Sequence, residues 1–436
     1  MRKWYAIILL IAISASGCSL FRGDEEEATV TPTPLFLTPI SRPTVNPSPG
    51  ATEAVTDTEP TTLNVWILNE FGPDSENPGN LILADQLSEF DNNHPEIVLN
   101  VDVKSSAGQG GTLNYLRTGR NVAPDILPDL IMLESDQLPV AAAEELIFPL
   151  DGLLQEEMIN DLFPAARSLV RAGESTYGYP MAMTNFQHAV FNTSVLSDTI
   201  PSKWDETLRL GDVSFVFPAA GQDGAELALL FYLASGGQLA GDANQPTLDV
   251  EPLTNALNQF ARGRNVGMIA PSSLGFATLA DVWSFYANSV SNMAQTELSI
   301  MLTERESGDE SGFALIPGID QPLAPLVKGW AWAISTPDPV RQASTMQLMT
   351  WLTSAENMGE WSDVSKIVPS RRSALTVWNQ DDDYVKFLQD QLEFARAYPG
   401  GANSAVISAL SEAVFNVMSM TKSPRTAAEE AAAALN

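Results

Sequence analysis

Cysteine occurs once in this 436-residue chain, at Cys18, so no disulfide framework can form within it. Histidine is nearly as scarce, with only His94 and His188, and a Cys/His metal cluster has no ligands to draw on. No HExxH, no Gly-x-Ser-x-Gly elbow and no P-loop is present, and nothing calls for a cofactor or a metal. Cations are few as well: 23 Lys and Arg face 54 Asp and Glu, for a formal net charge of −31. Such a surface repels phosphate backbones and anionic headgroups, which makes nucleic acid a poor partner. It leaves a cationic ligand open. Carboxylates are plentiful, so composition does not exclude a paired-acid hydrolase.

What is present begins at the N-terminus. Arg2 and Lys3 precede the apolar run "WYAIILLIAI", then small residues, then Cys18 in "ASGC". That order describes a secretory signal over residues 1–17, too short for a membrane span. The lone Cys resembles the end of a bacterial lipobox, in which the thiol is lipidated and becomes the mature N-terminus. Ala15 stands where the usual box has Leu. Cleavage would remove Arg2 and Lys3 and take the net charge from −31 to −33. Residues 18–60 are rich in Pro, Thr, Ser and acid, without apolar period, and are expected to be a disordered tether.

From about Leu63 the pattern changes. "LNVWIL" reads as a buried strand, and Leu81, Ala84, Leu87 and Phe90 give helical spacing closed by Asn93, His94 and Pro95. "IVLNVDV", "GTLNYLRTGR" and "PDLIMLES" continue as strand, helix, strand, which predicts a parallel α/β sheet. Ligands of such sheets sit beyond the carboxyl ends of the strands, where Asn69, Glu70, Glu134 and Ser135 fall. "STYGYPMAMTN" reads as a linking segment. In "PSKWDETL", Ser202 is expected to cap a helix that Asp205 closes. "DPVRQASTMQLMTWLTSAENMGEWS" predicts one long helix with Ala343, Met346, Met349 and Leu352 on its buried stripe.

The succession "PDLIMLESDQLPVAAAEELIFPLDGLL", "YGYPMAMTNFQHAVFN", "PSKWDETL", "GFALIPG", "KGWAWAIS" and "VPSRRSAL" resembles the family 1 extracellular solute-binding proteins of bacterial ABC importers, the group that includes maltose-binding proteins. Each piece is short; the six in order are specific together. The sequence departs from the pattern at Phe191, Lys203 and Asn288, and no Gly-x-Trp follows the helix around Trp283. The resemblance implies an α/β fold of two lobes with a hinge and an interlobe cleft, no covalent chemistry, and a monomer that hands its ligand to a permease. Lobe 1 would span 61–172 plus 326–372, and lobe 2 would span 173–325 plus 373–436.

In "VKGWAWAIS" a strand points Trp330 and Trp332 to one face. Near the lobe crossing, Trp330 is expected to stack on a sugar and Trp332 to be core. The other expected contacts are Asn69, Glu70, Tyr115, Glu134, Ser135, Asn185, Gln187, Trp283, Tyr286 and Arg371. Three rivals stay open: the same fold around a polyamine or peptide, a secreted glycoside hydrolase using Glu70 and Glu134, and a sensor or adhesin.

Overall fold

A computed structural model describes residues 59–108, 110–122, 126–240, 245–305 and 311–435. The expected signal segment, Cys18 and nearly all of the tether lie outside these residues.

Alternation of apolar side chains sets the first sheet. Its early strands are β1 (Thr61–Leu68), β2 (Ile97–Lys104) and β3 (Leu130–Glu134), with β1 parallel to both others, as expected. A short hairpin of β4 (Arg171–Ala172) and β5 (Ser175–Thr176) follows. Next come β6 (Tyr179–Thr184), β7 (Gln187–Asn192), β8 (Phe215–Val216), β9 (Met293–Glu297) and β10 (Ser311–Ala314). The chain closes with β11 (Leu326–Ile334), β12 (Val368–Pro369) and β13 (Arg396–Ala397). The first sheet has the order β12-β6-β11-β3-β1-β2, with β13 on β11; the second has the order β10-β7-β9-β8.

One face of the first sheet buries Val65, Ile67, Met132 and Trp332 under the helices Gly79–Asn93, Pro339–Leu352 and Ala355–Ser365. Its other face buries Trp66, Ile131, Leu133, Ala331 and Ala333 against Leu116 and Leu138. The second sheet puts Ala189, Phe191, Phe215 and Met293 into a separate core with the helices Gln222–Ala234, Val250–Asn265 and Ser404–Met418. Leu326 belongs to this second core and the next residue, Val327, to the first. The chain passes from the second sheet to the first between β10 and β11.

Several expectations shift. The "STYGYPMAMTN" segment is not a linker: Tyr179–Thr184 forms β6 inside the first sheet, fully buried up to Thr184. Past residue 372 the chain still packs on the first sheet's helices at Trp378, which donates from Nε1 to Ser362 Oγ at 2.9 Å, while Tyr384 packs on His188 and Phe313 of the second sheet. The helix after β1 buries Leu83, Gln86, Leu87 and Phe90, while Leu81 is 64% exposed. Ser202 caps nothing; Lys203 is the helix-preceding residue, and Ser202 gives its carbonyl to Gly318 N–H. The long helix breaks at Thr353, and Ser354 caps its second half through Asn357 N–H.

Candidate functional site

Parallel β1 and β3 end on the same side of their sheet. The turn after β1 carries Glu70 and Phe71, and β3 ends on Glu134. β11 runs antiparallel beside β3, which sets Trp330 directly opposite Glu134. Gly329 makes this possible, because a Cβ there would lie 2.1 Å from the Ala182 carbonyl oxygen on β6. Between Trp330 and Ala331 the register against β6 shifts, a local irregularity of the kind that re-aims a side chain. The Trp330 ring is half-buried and stands edge-on to Phe71, with centroids 5.0 Å apart at 88°. Trp332, two residues on, is wholly buried.

Glu134, across the strand pair from this ring, has acidic neighbours. Burial, then the charges of Asp136 and Glu70, push the Glu134 carboxyl above its ordinary value; a Ser106 hydrogen bond and Lys328 oppose them. Glu70 Oε2 is closed to solvent and has no hydrogen-bond partner. From the second sheet's side comes Glu226, on the helix Gln222–Ala234. It accepts from Gln187 Nε2 at 2.6 Å and from Tyr398 O–H at 3.4 Å. Gln295 Nε2 in turn donates to Gln187 Oε1 at 2.7 Å. Burial raises the Glu226 carboxyl too, against the pull of Lys328 and a hydrogen bond from Asn185. Lys328 lies between the groups: its Nζ is 3.7 Å from Glu226 Oε1 and 4.0 Å from the Tyr398 ring centroid. Among the described residues, no cluster of three or more His, Cys, Asp or Glu is placed to hold a metal ion.

Residues 87–386 match a family of bacterial extracellular solute-binding proteins. The chain belongs to that family. Solved structures agree in fold. The sugar-binding protein MalE from Xanthomonas citri is 17% identical with a TM-score of 0.68, covering 86% of this chain and 96% of its own. A family 1 extracellular solute-binding protein from Bifidobacterium longum subsp. infantis is 14% identical, TM-score 0.66, covering 86% and 99%. The cyclic alpha-maltosyl-1,6-maltose binding protein from Arthrobacter globiformis is 14% identical, TM-score 0.65, covering 86% and 98%. No curated protein matches with significance.

In this solute-binding protein the residues singled out in the sequence divide into groups. Glu70, Glu134 and Trp330 come together, as described. Asn69 is exposed beside them. Ser135 binds its strand to the next: its N–H donates to Gly329 O at 2.8 Å and its hydroxyl accepts from Gly329 N–H at 3.3 Å. Asn185 holds a positive φ of 64° at the turn from β6 to β7 and donates from Nδ2 to Leu326 O at 3.3 Å. Gln187 is 4% exposed and reaches the site through Glu226.

Three expectations are corrected. Arg371 has no fork to offer a ligand: Nε donates to Asp161 Oδ2 at 2.6 Å and an Nη to Thr353 O at 2.6 Å. Trp283 and Tyr286 are both in the buried layer, their rings 5.7 Å apart, with Tyr286 O–H 2.8 Å from Ser311 Oγ. Tyr115 is 46% exposed, but it sits with Trp66 and the Lys104 ammonium on the opposite face of the sheet from Trp330.

The sequence reading missed Phe71, Glu226, Lys328 and Tyr398. Glu226 had a signal, as a lone carboxylate in the apolar helix "AELALLFYLA", and Lys328 stands in the very stretch that drew attention. No described helix is long and apolar enough to cross a membrane.

Proposed function

We propose that the chain captures a carbohydrate between its two sheets and delivers it to the permease of an ABC importer. The observation that carries the reading is Trp330, a half-buried indole packed on Phe71 and set directly opposite Glu134 on the neighbouring strand. Sugar C–H faces are apolar and lie flat on indole, while sugar hydroxyls need planar polar acceptors; this grouping offers both. The named ligands of similarly folded proteins, maltose-type saccharides, favour the same class. Asn69 and Asn185 would serve as polar contacts, and Gln187 would act through Glu226. Cys18 would carry the lipid that holds the protein, a monomer, outside the cytoplasmic membrane.

A thermal-shift screen against mono- and oligosaccharides, polyamines and peptides tests it. A ligand at a hundred times its Kd adds about 2.7 kcal/mol to stability. Stabilisation by a polyamine or a peptide, with every saccharide inert, would overturn the carbohydrate reading. Release of reducing sugar, abolished by Glu70→Gln, would instead make the protein a hydrolase.

A further inference from the structure

Three passages of the chain between the sheets run side by side. The first is at Asn185, between β6 of the first sheet and β7 of the second. The second leads from β10 into β11, where Lys328 stands opposite Thr184, the residue before Asn185. Asn185 Nδ2 donates to Leu326 O at 3.3 Å, which joins these two. The third follows β13. Arg396 and Ala397 pair with Leu326 and Val327, Tyr398 N–H donates to Val327 O at 2.8 Å, and the chain runs on to the helix Ser404–Met418 of the second core.

A side chain from each passage turns to one carboxylate. Glu226, on the helix Gln222–Ala234 of the second core, has Oε1 3.7 Å from Lys328 Nζ and accepts from Tyr398 O–H at 3.4 Å. Asn185 hydrogen-bonds to it as well, and Gln187, just past Asn185, donates at 2.6 Å. The carboxylate is therefore carried by a packed helix, while its partners stand on segments that must bend if the two lobes move. Its surroundings leave the charge finely held. The Glu226 side chain is 16% exposed against 48% for Lys328, so the lysine can turn to water at little cost and the carboxylate cannot. Burial opposes the charge, and so do Asp223 on the same helix and Glu297 at the end of β9; Lys328 and Asn185 favour it. The Tyr398 hydroxyl, raised by its own burial, stays neutral.

We infer that Glu226 is a proton-sensitive fastener of the hinge: as a carboxylate it ties the three passages to the second core, and once it takes up a proton Lys328 is released and the lobes gain freedom to move. The inference rests on the two-lobed fold and is independent of the class of ligand. Two quantities then move in opposite directions as pH falls. Protonation relieves a buried charge, so the fold gains stability. The tie across the passages loses its ion pair, so the hinge loosens.

Amide hydrogen exchange on the intact, unliganded protein tests this, with rates at each pH divided by the intrinsic chemical rate. At neutral pH Glu226→Gln is expected to speed exchange about tenfold in peptides covering residues 184–188, 326–329 and 396–399, with the centres of both sheets unchanged. The wild type should reach the same state at about pH 5, and Glu226→Gln should show no further response there. Lys328→Gln keeps the carboxylate and removes its cation. It should loosen the same three stretches and move their transition to higher pH. Thermal melts show whether each variant is folded, and the lysine variant decides the matter if the glutamine at 226 is not tolerated. Passages as slow in both variants as in the wild type, or a pH response that survives in Glu226→Gln, overturn the inference. Faster exchange spread evenly over both sheets overturns it too, since Glu226 would then support only the fold. With no ligand present, each of these failures leaves the carbohydrate reading standing.

Discussion

Trp330 stands edge-on to Phe71, with ring centroids 5.0 Å apart and planes at 88°, and so belongs at once to the site and to the edge of a core. Trp330→Ala is expected to weaken saccharide binding by about 1–3 kcal/mol, the range for loss of an aromatic stacking partner. Because the ring also packs on Phe71, the unliganded fold should lose about 1 kcal/mol. Trp332→Ala, at a wholly buried position, should cost about 3–5 kcal/mol of stability with binding affected second. Chemical denaturation paired with calorimetry separates the two. Unchanged affinity in Trp330→Ala would return the ring to simple packing.

The early parallel strands of the first sheet were legible because apolar runs such as "LNVWIL" and "LIML" carry their own signal. β6 was not. "YGYPMAMT" contains Gly178 and Pro180, which read as a turn, yet burial on both faces overrode that local preference. Glu134 was legible as a strand end, and the shared face of Trp330 and Trp332 from their spacing. The partners that give them charge and shape come from elsewhere in the chain: Glu226 is 92 residues away from Glu134, and Tyr398 comes 68 residues after Trp330. Arg371 was misjudged because nothing local says that Asp161, 210 residues earlier, would take its guanidinium. Pairings at that separation are set by topology, which periodicity does not encode.

That Arg371–Asp161 pair makes a stability prediction. The two side chains are 15% and 19% exposed. Removing one partner of a fully buried pair costs 3–5 kcal/mol; partial exposure brings the expectation for Arg371→Ala to about 2–3 kcal/mol. Burial by itself would raise the Asp161 carboxyl, but hydrogen bonds from Ser373 and Arg371 outweigh it and hold it below the usual range. Its contribution is therefore present above the unfolded value and is lost as pH falls through the lower folded one. In Arg371→Ala the acid transition should begin at a higher pH. An acid transition identical to the wild type would show that the pair is not the source.

Glu134 and Glu226 work in the opposite direction. Burial comes first among the causes that raise both, so the folded protein takes up protons that the unfolded chain has not yet bound. Their protonated forms favour the fold, and that stability is lost as pH rises through the folded values. The melting temperature of the unliganded protein should rise as pH is lowered from 7 toward about 5. General relief of the net negative charge has the same sign, so the decisive comparison is with Glu134→Gln/Glu226→Gln. The double variant should show a clearly flatter dependence. The same slope in both proteins would assign the effect to the surface.

Anchoring is tested at Cys18. If its thiol carries a lipid, Cys18→Ala is expected to appear in the aqueous phase of a detergent-partition experiment, while the wild type follows the detergent. The variant should bind ligand as the wild type does, since Cys18 lies ahead of the family-matched residues 87–386. Retention of Cys18→Ala by the membrane would remove the lipoprotein assignment.

The last prediction concerns the crossing between the cores. Asn185 sits between β6 of the first sheet and β7 of the second with φ at 64°, and its amide donates to Leu326 O, where the other crossing strand begins. Asn tolerates this left-handed backbone and Gly adopts it without strain, whereas Ala pays about 1–2 kcal/mol. Asn185→Gly should therefore lose the hydrogen bonds to Leu326 O and Glu226, about 1–3 kcal/mol, and Asn185→Ala should add the backbone strain, for about 2–5 kcal/mol. If this crossing is a hinge, saturating ligand should draw the sheets together and lower the radius of gyration in small-angle scattering. Asn185→Gly, with one tie between the strands gone, should have the larger unliganded radius and contract further on binding. A radius that stays constant in both proteins while calorimetry records full occupancy would mean that the ligand enters a rigid cleft, and Asn185 would then be a structural corner only.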